Sequence, residues 1–303
     1  MIERPFYTES IKPFIDKNVI KVLVGIRRCG KSYILRMVQD LLIKQKIPAK
    51  RIILFNLESK ALPFDKTSNG IYSYIKASVA KKSAGRFYLL FDEIQEIPEW
   101  EGLINALTID FDVDIYLTGS NAKLLSSELA TYLAGRYVEF HIYPLSFAEI
   151  FAHKLTTSPQ LTAREAFLHY VREGGMPFVY DAGISNEVYR AYLFDVFNSV
   201  ILKDIARRHK VRDVDLLERI LSYIVSEVGH VFSSKSIVRY LKHENRTIAL
   251  ETLYNFMRYA EESCLMIPLR RNDLGGKQIT HRNKLPKGIH ILKNRKQKTI
   301  KTS

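Results

Sequence analysis

The stretch VLVGIRRCGKSYIL, residues 22 to 35, combines residue types whose spacing suits the binding of a triphosphate. Residues 25 to 32 follow the pattern G-x-x-x-x-G-K-[ST], that of a phosphate-binding loop. Glycines let the backbone approach phosphate oxygens closely, so that several N–H groups can point at one anion. In such a loop Lys31 reaches the β and γ phosphates, and the hydroxyl of Ser32 holds Mg²⁺.

The segments on both sides of this loop support that interpretation. Residues 19 to 24 form a short apolar, β-branched run typical of a strand, and residues 33 to 43 carry apolar side chains at helical spacing. This order places the phosphate at a helix N-terminus, where the helix dipole favours negative charge. The alternative, a glycine-rich turn in an unrelated α/β protein, is disfavoured by both flanks. The binding set that we predict is Gly25, Ile26, Arg27, Arg28, Cys29, Gly30, Lys31, Ser32 and Tyr33.

Two adjacent carboxylates follow a second apolar run, in RFYLLFDEIQ at residues 86 to 95. In a parallel sheet the ligand lies outside the carboxyl ends of the strands, so Asp92 and Glu93 would face the loop. This arrangement looks like a Walker B element, in which Asp92 holds Mg²⁺ through water and Glu93 acts as general base on the attacking water. An ordinary strand end followed by a charged turn is the alternative.

Further polar candidates lie near the ends of two later strand patterns. Residues 111 to 121 end in Thr118, Gly119, Ser120 and Asn121, which could orient the lytic water or touch the γ-phosphate. Ser120 or Asn121 could equally cap a helix over residues 122 to 129. Arg136 opens the pattern at residues 135 to 145, and an arginine near a nucleotide can stabilise transition-state charge from its own chain or a neighbouring subunit. A lone arginine is more often a surface residue.

Composition limits the class of protein. The chain has 303 residues, 47% of them hydrophobic and 26% charged, as in a globular protein of two or three domains. No apolar run approaches the roughly 18 residues that span a bilayer. The N-terminus shows no signal peptide, and two cysteines, Cys29 and Cys264, exclude a disulfide framework. These features predict a cytoplasmic protein, in which we interpret Cys29 as a filler of the loop.

The net charge of +14 is concentrated at one end of the chain. Residues 271 to 303 contain ten Lys or Arg and one acid, which gives +9 and leaves +5 for the rest. A basic tail of this kind can bind nucleic acid or another polyanion, and a solvated, disordered end is the simpler interpretation.

Together, several segments resemble a family of prokaryotic ATPases of the AAA superfamily. The resemblance rests on GIRRCGKS, FDEIQEIPEW, YLTGSNAKLLSSELATYLAGR and YPLSFAEI, and it covers most of residues 15 to 270. Members combine an ATPase core with a winged-helix segment and usually a C-terminal nuclease-like domain. The double arginine Arg27 and Arg28 also fits this family, although spacing alone would not have singled it out.

The resemblance implies an α/β fold of the P-loop NTPase type, with ATP and Mg²⁺ as ligands. We expect a parallel five-stranded sheet in the order 5-1-4-3-2, followed by a helical lid and a winged-helix-like domain. It implies ATP binding by Gly25, Gly30, Lys31 and Ser32, and Mg²⁺ binding and hydrolysis by Asp92 and Glu93. By the same resemblance Thr118 or Ser120 is a sensor, and Arg136 acts in cis or in trans.

The expected domains are an ATPase core over residues 1–150, a helical lid over 151–210, a winged-helix-like domain over 211–270 and a basic tail over 271–303. In the lid, residues 161 to 180 read as a helix ended by Gly174 and Gly175, with Pro177 preventing its continuation. We prefer a plain helix break as the interpretation of this element. A long helical pattern then runs from residue 186 to about 208.

Three helical patterns, over residues 214–228, 234–241 and 248–261, indicate the winged-helix arrangement. The third helix could enter a DNA major groove, with phosphate contacts from cations such as Lys242 and Arg246. The same region carries acids such as Glu251 and Glu261, so a packing module that relays the nucleotide state is an equal alternative.

The last residues depart from the family pattern. Beyond residue 277 the chain lacks the aspartate-rich strand and the carboxylate cluster of the nuclease-like domain. We therefore expect a truncated or frame-altered member, to which the nuclease activity that the resemblance implies does not carry over.

Two functional hypotheses follow. The first is a Mg²⁺-dependent ATPase that acts as a nucleotide-driven switch on DNA or a partner protein, with a homo-oligomer if Arg136 acts in trans. The second is a nucleotide-stabilised DNA-binding or protein-interaction module with incidental turnover. A kinase is disfavoured because Glu93 stands beside Asp92, as hydrolases need, and no acceptor motif is present.

Overall fold

Alternating strands and helices form the first part of the chain, and helices dominate the second. The computed structural model describes residues 2–80, 85–120, 135–180, 184–227, 233–266, 268–270 and 281–283. These residues form two compact units. The first contains Glu3–Gly25 and Gly30–Tyr143, and the second contains Ile2, Ile26–Cys29 and the described residues from Pro144 onward.

The first unit is built on a five-stranded, fully parallel sheet. Its strands are β1 (Ile20–Val24), β2 (Ile52–Asn56), β3 (Phe87–Asp92), β4 (Val113–Gly119) and β5 (Tyr137–His141). They lie in the order β2-β3-β4-β1-β5. This confirms the predicted order, read from the other edge, and places β4 between the loop-bearing strand β1 and β3. Parallel strands buried on both faces read as continuous apolar runs, which is how β3 appears in the sequence, whereas Lys21 interrupts the apolar run of β1.

Helices of the first unit flank this sheet. They are α1 (Pro5–Ile11), α2 (Lys31–Lys44), α3 (Ser68–Ala80) and α4 (Trp100–Asp110). Short 3₁₀ turns occur at Lys12–Phe14, Ala49–Arg51 and Ile94–Glu96. The main apolar core includes Val22, Leu89 and Leu117 of the central strands together with Trp100 and Ile104 of α4.

One charged pair is buried within the sheet. The ammonium of Lys21 on β1 donates to the carboxylate of Asp114 on β4, and both side chains are fully buried. The backbone N–H of Asp16 and the hydroxyl of Tyr116 also donate to Asp114, at 2.9 and 3.1 Å. Burial raises the pKa of Asp114, and the ammonium of Lys21 opposes that rise.

The second unit is mostly helical. Its helices are α5 (Phe147–Thr157), α6 (Ala163–Glu173), α7 (Asn186–Ser199), a π-helix (Val200–Arg207), α8 (Val214–Ser226), α9 (Ser234–His243) and α10 (Leu250–Glu262), with a 3₁₀ turn at Pro177–Tyr180. Ser146 begins α5 and Thr162 begins α6, each in a capping box with the glutamate three residues on. The helical pattern predicted from residue 186 is continuous, because the π-helix Val200–Arg207 follows α7 without a break. Hydrophobic spacing does not distinguish these eight π-helical residues from an α-helix.

The glycine pair that ends α6 does more than break a helix. Gly174 has a φ of +77°, and the carbonyl of Gly175 accepts a hydrogen bond of 2.6 Å from the N–H of Leu145. A Cβ atom on Gly175 would lie 2.1 Å from the carbonyl oxygen of Leu145. Close backbone approach, in addition to helix termination, therefore requires glycine here.

Helices α8, α9 and α10 share one apolar core and form what we call the three-helix module. Its core also takes in Val200, Ile201 and Ile205 of the π-helix. After α10 come two short antiparallel strands, β6 (Pro268–Arg270) and β7 (His281–Asn283). β7 falls inside residues 271–303, the segment predicted as a basic tail. The other residues of that segment lie outside the described part. No helix in the described ranges is long and apolar enough to cross a membrane.

Candidate functional site

The loop from Gly25 to Gly30 connects β1 to α2 through a tight turn. The N–H of Cys29 donates to the carbonyl of Ile26 at 3.2 Å, and Arg28 and Gly30 have φ values of +67° and +105°. Such left-handed conformations are favourable for glycine and uncommon for arginine. The fourteen residues of α2 begin directly after the loop, so that the positive end of the helix dipole lies there. This geometry suits an anion.

Lys31 lies at the start of α2 and is almost completely buried, with 3% of its surface exposed. Its ammonium donates to the carbonyl of Gly25 at 3.0 Å, across the loop, and lies 3.7 Å from Oε1 of Glu93. The lysine of the motif is therefore held between the loop backbone and the carboxylate that follows β3.

Ser32, Asp92 and Thr118 converge from three different elements. Oγ of Ser32 on α2 donates to Oδ1 of Asp92 at the end of β3, at 3.0 Å. The hydroxyl of Thr118 on β4 donates to the same carboxylate oxygen at 2.7 Å. Because β3 and β4 are parallel neighbours, their carboxyl ends meet at one edge of the sheet. The predicted Mg²⁺ ligands are thus in hydrogen-bonding contact.

Glu93 has a left-handed backbone, with a φ of +57°, and its side chain is nearly buried. Its N–H donates to the hydroxyl of Thr118 at 2.8 Å, and its Oε2 accepts a hydrogen bond from the side-chain amide of Gln95. A glutamate rarely adopts this backbone without support, which the contact with Thr118 supplies. Thr118 therefore bonds both carboxylate residues at once.

The donor set fits Mg²⁺. This ion prefers hard oxygen ligands, keeps several waters and is usually bound by one or two protein groups together with substrate phosphates. Ser32 Oγ and Asp92 Oδ1 supply two such oxygens within 3.0 Å of each other. Lys31 adds a cation beside Glu93.

The other predicted residues have mixed placements. Ser120 is buried one position past the end of β4, whereas Asn121 and the helix predicted over 122 to 129 lie outside the described residues. Cys29 is fully buried, in agreement with a filler role. Tyr33 lies in the first turn of α2, where burial together with the carboxylates of Glu3 and Asp40 raises the pKa of its hydroxyl.

Arg136 is not brought to the loop. Its carbonyl accepts a hydrogen bond from the N–H of Ile20 at the start of β1, and β5 runs parallel to β1. The loop follows the other end of β1, about 16 Å away at roughly 3.3 Å per residue. Arg136 instead borders a cavity of about 370 Å³, with Lys17 and Arg86 also in its lining. This placement does not support action on a nucleotide in its own chain, and action in trans stays a prediction.

Two partners of the loop and site were not predicted from the sequence. Gln95 lies two residues after Glu93, and its proximity in sequence could have suggested a contact. Asp204 binds Arg27 through two hydrogen bonds, from Nε at 3.2 Å and from Nη2 at 2.9 Å. No local pattern connects residues 27 and 204.

Comparisons with known proteins agree with this geometry. Residues 17–151 match the family model described as an AAA domain, and residues 164–282 match a domain of unknown function (DUF8612). An uncharacterized protein of Haemophilus influenzae is 34% identical over 277 residues, which cover 91% of this chain and 68% of the relative. The chain belongs to the AAA superfamily of P-loop ATPases. The loop at residues 25–30, the carboxylates of Asp92 and Glu93 and the parallel sheet all lie within the AAA domain match.

Other similarities extend over most of this AAA-type ATPase. The uncharacterized protein MJ1544 of Methanocaldococcus jannaschii is 28% identical over 274 residues, 87% of this chain and 59% of that protein. Among solved structures, the Walker-type ATPase PABY2304 of Pyrococcus abyssi superposes with a TM-score of 0.64 over 96% of both chains, at 17% identity. At that identity the likeness shows a shared fold.

Proposed function

We propose that the chain binds Mg·ATP and hydrolyses it, and that it acts as a nucleotide-driven switch. The observation that carries this proposal is the meeting of Lys31, Ser32, Asp92, Glu93 and Thr118 at the carboxyl edge of one parallel sheet. Each residue has the chemistry that phosphoryl transfer to water requires at its position.

Binding is the part of the reaction that the loop performs. The backbone N–H groups of the loop and the ammonium of Lys31 supply positive charge for the β and γ phosphates. Ser32 and Asp92 would hold Mg²⁺, which when bound neutralises charge on the phosphate oxygens. The neutral hydroxyl of Ser32 and the carboxylate of Asp92 are both suitable ligands.

Activation of water is assigned to Glu93. One carboxylate oxygen accepts a hydrogen bond from Gln95, and the other lies 3.7 Å from the ammonium of Lys31. A carboxylate oriented in this way can take the proton of an attacking water as the water's oxygen bonds to the γ-phosphorus and ADP leaves. Thr118 holds the backbone N–H of Glu93 and the carboxylate of Asp92 through one hydroxyl, which positions the proposed base relative to the proposed metal ligand.

Substitution of Glu93 tests the proposal directly. Glu93→Gln keeps the size of the side chain and removes its basicity, so ATP should still bind while phosphate release falls about a hundredfold or more. Glu96→Gln is the matched control, because Glu96 is exposed in the turn that follows. Steady-state phosphate release and equilibrium ATP binding would be measured for both variants.

Glu93→Gln also separates the switch from the nucleotide-stabilised binding module. A nucleotide-driven switch predicts that Glu93→Gln remains in the ATP-bound state, with its effect on DNA or the partner protein locked on. A binding module with incidental turnover predicts that the effect follows ATP binding and is indifferent to the loss of hydrolysis. Phosphate release by Glu93→Gln at the natural rate would refute the base assignment.

Duplex DNA is the partner that the three-helix module favours, and a protein partner is the alternative. The third helix, α10, exposes an acid, Glu251, as well as a cation, Arg258, whereas α9 exposes three cations along one face, at Lys235, Arg239 and Lys242. The cationic face therefore lies on α9 and not on the helix predicted to enter a groove. Phosphate release should rise with duplex DNA and the rise should fade with salt. A rate indifferent to DNA would favour the protein partner.

A further inference from the structure

Arg27, in the middle of the phosphate loop, is bound by a carboxylate that lies 177 positions away in the sequence. Its guanidinium makes two hydrogen bonds to Asp204, and the side chains of the two residues are only 17% and 5% exposed. A two-point bond fixes the orientation of the arginine as well as neutralising its charge. The hydrolysis chemistry proposed above uses neither residue.

Asp204 is carried by an unusual element. It lies in the π-helix Val200–Arg207, whose wider turns are rare in proteins and frequent at functional sites. Val200, Ile201 and Ile205 of this helix are buried in the core of the three-helix module. The carboxylate that holds Arg27 is therefore fixed by a packed helix and not by an exposed loop.

Contacts continue from this element to α10 on one side and to the loop on the other. His209, two residues past the π-helix, stacks on Tyr259 of α10 with ring centroids 3.6 Å apart, and its Nε2 lies 3.4 Å from Glu262. Ile26, the neighbour of Arg27, packs against the core of the three-helix module. These residues all belong to the second unit. A continuous set of contacts therefore joins loop residues 26 and 27 to α10.

We propose that Asp204 is a positioning residue for the phosphate loop, acting through Arg27, and that this pair couples nucleotide binding to the packing of the three-helix module. The proposal rests on the nucleotide binding proposed above. Coupling of this kind is reciprocal: if the module holds the loop in its binding conformation, nucleotide at the loop must stabilise that state of the module by the same factor.

The sign of one effect distinguishes positioning from simple electrostatics. Asp204→Asn removes a negative charge near the loop, so a purely electrostatic role predicts tighter binding of a triphosphate. If Asp204 instead positions the loop, Asp204→Asn should bind a triphosphate more weakly, because part of the binding free energy must then order the loop. We expect Asp204→Asn to bind ATP about tenfold more weakly than the natural chain.

Matched controls exist on both elements. Asp195 is exposed on the preceding helix, α7, so Asp195→Asn removes the same charge without touching the loop. Arg36 is exposed on α2, outside the loop, so Arg36→Gln controls Arg27→Gln. ATP affinity of the full chain and its variants would be measured by titration calorimetry. Because both substitutions remove one interaction, Arg27→Gln/Asp204→Asn should bind ATP no more weakly than the weaker single variant.

Amide hydrogen exchange measured with and without ATP distinguishes the proposed positioning role from a purely structural role. In the natural chain ATP should slow amide exchange in α8, α9 and α10, and this nucleotide-dependent difference should disappear in Asp204→Asn. A residue that only stabilises the fold would change exchange equally with and without ATP. Asp204→Glu keeps the charge and should restore part of the difference, which also covers the case in which Asp204→Asn does not fold.

The outcomes separate this inference from the proposed function. Absence of ATP binding by the natural chain would refute both. ATP binding that leaves exchange in the three-helix module unchanged, or that is as tight in Asp204→Asn as in Asp195→Asn, would refute the coupling and leave the nucleotide site standing. Weaker binding in Asp204→Asn together with lost protection is the result that we expect.

Discussion

At the scale of single residues, the hydroxyl of Thr118 organises the candidate site. It donates to Asp92 and accepts from the N–H of Glu93, and the side chain is fully buried. Because this hydroxyl is buried, water cannot replace the hydrogen bonds that it donates and accepts if it is removed. The relative placement of metal ligand and general base therefore depends on one hydroxyl group.

Thr118→Val preserves shape and removes this hydroxyl. The N–H of Glu93 then loses its partner, at a cost of about 1–3 kcal/mol in unfolding free energy. We expect phosphate release to fall tenfold or more, because Glu93 and Asp92 lose their common support. Thr118→Ser keeps the hydroxyl and is the control. Equal rates for the valine variant and the natural chain would contradict this role.

The residues of the site differ in how visible they are in the sequence. Lys31, Ser32, Asp92 and Glu93 follow from spacing and from the rule that ligands lie at the carboxyl ends of parallel strands. Thr118 was only one of four candidates after its strand, since the choice among them requires the register between β3 and β4. The partnership of Arg27 with Asp204 depends on tertiary structure alone.

At the scale of elements, the connection after α6 depends on a backbone approach that only glycine allows. Gly175→Ala would place a methyl group against the carbonyl of Leu145, at 2.1 Å from its oxygen without relaxation. We expect a loss of about 2 kcal/mol or more in unfolding free energy, measured by urea denaturation. Gly102→Ala in α4 meets nothing within 4 Å and should stabilise the chain by about 0.5–1 kcal/mol. Equal effects of the two substitutions would refute this reason for Gly175.

The buried pair of β1 and β4 gives a second prediction at this scale. Lys21→Met leaves the carboxylate of Asp114 buried without its cation, which should cost about 3–5 kcal/mol near neutral pH. In Lys21→Met/Asp114→Asn the unpaired charge is gone, so at least about 1 kcal/mol should return. Urea denaturation of both variants measures these changes, and a double variant no more stable than Lys21→Met would contradict this origin of the loss.

The pH dependence of Lys21→Met follows from the pKa of Asp114, which burial raises and the ammonium of Lys21 opposes. Removal of that ammonium should raise this pKa further above its value in the natural chain. A carboxyl whose pKa is higher in the folded state binds more protons there than in the unfolded state. The stabilisation that this carboxyl group contributes to the folded state is present below its unfolded pKa of about 3.9 and is lost as pH rises through its folded pKa. The deficit of Lys21→Met relative to the natural chain should therefore be smaller at pH 5 than at pH 8. A deficit independent of pH would contradict this cause.

Element types were predictable where hydrophobic periodicity is strong, as in the five strands of the sheet and in α8 to α10. The π geometry of residues 200–207 was not, since apolar spacing over two turns hardly separates it from an α-helix. Arg136 lies at the amino ends of the strands, away from the loop, because it precedes β5 and β5 runs parallel to β1. The sequence alone does not show that these two strands pair.

At the scale of the whole molecule, nucleotide binding is the event on which every other proposed function depends. Hydrolysis, the coupling through Asp204 and any effect on DNA or a protein partner all require that the loop bind a triphosphate. Arg136 would add a requirement for a second copy of the chain, since it lies away from the loop of its own subunit. An oligomer that forms only with ATP would agree with action in trans.

Equilibrium binding of Mg·ATP to the purified chain and to Lys31→Ala tests the central claim most directly. Lys31→Ala removes the cation of the loop, whereas Lys44→Ala, at the exposed far end of the same helix, is the control. We predict saturable binding by the natural chain and by Lys44→Ala, and binding at least about a hundredfold weaker, roughly 2.7 kcal/mol, in Lys31→Ala. Equal affinity in Lys31→Ala and the natural chain, or no binding by the natural chain, would contradict the assignment of a nucleotide site to this loop.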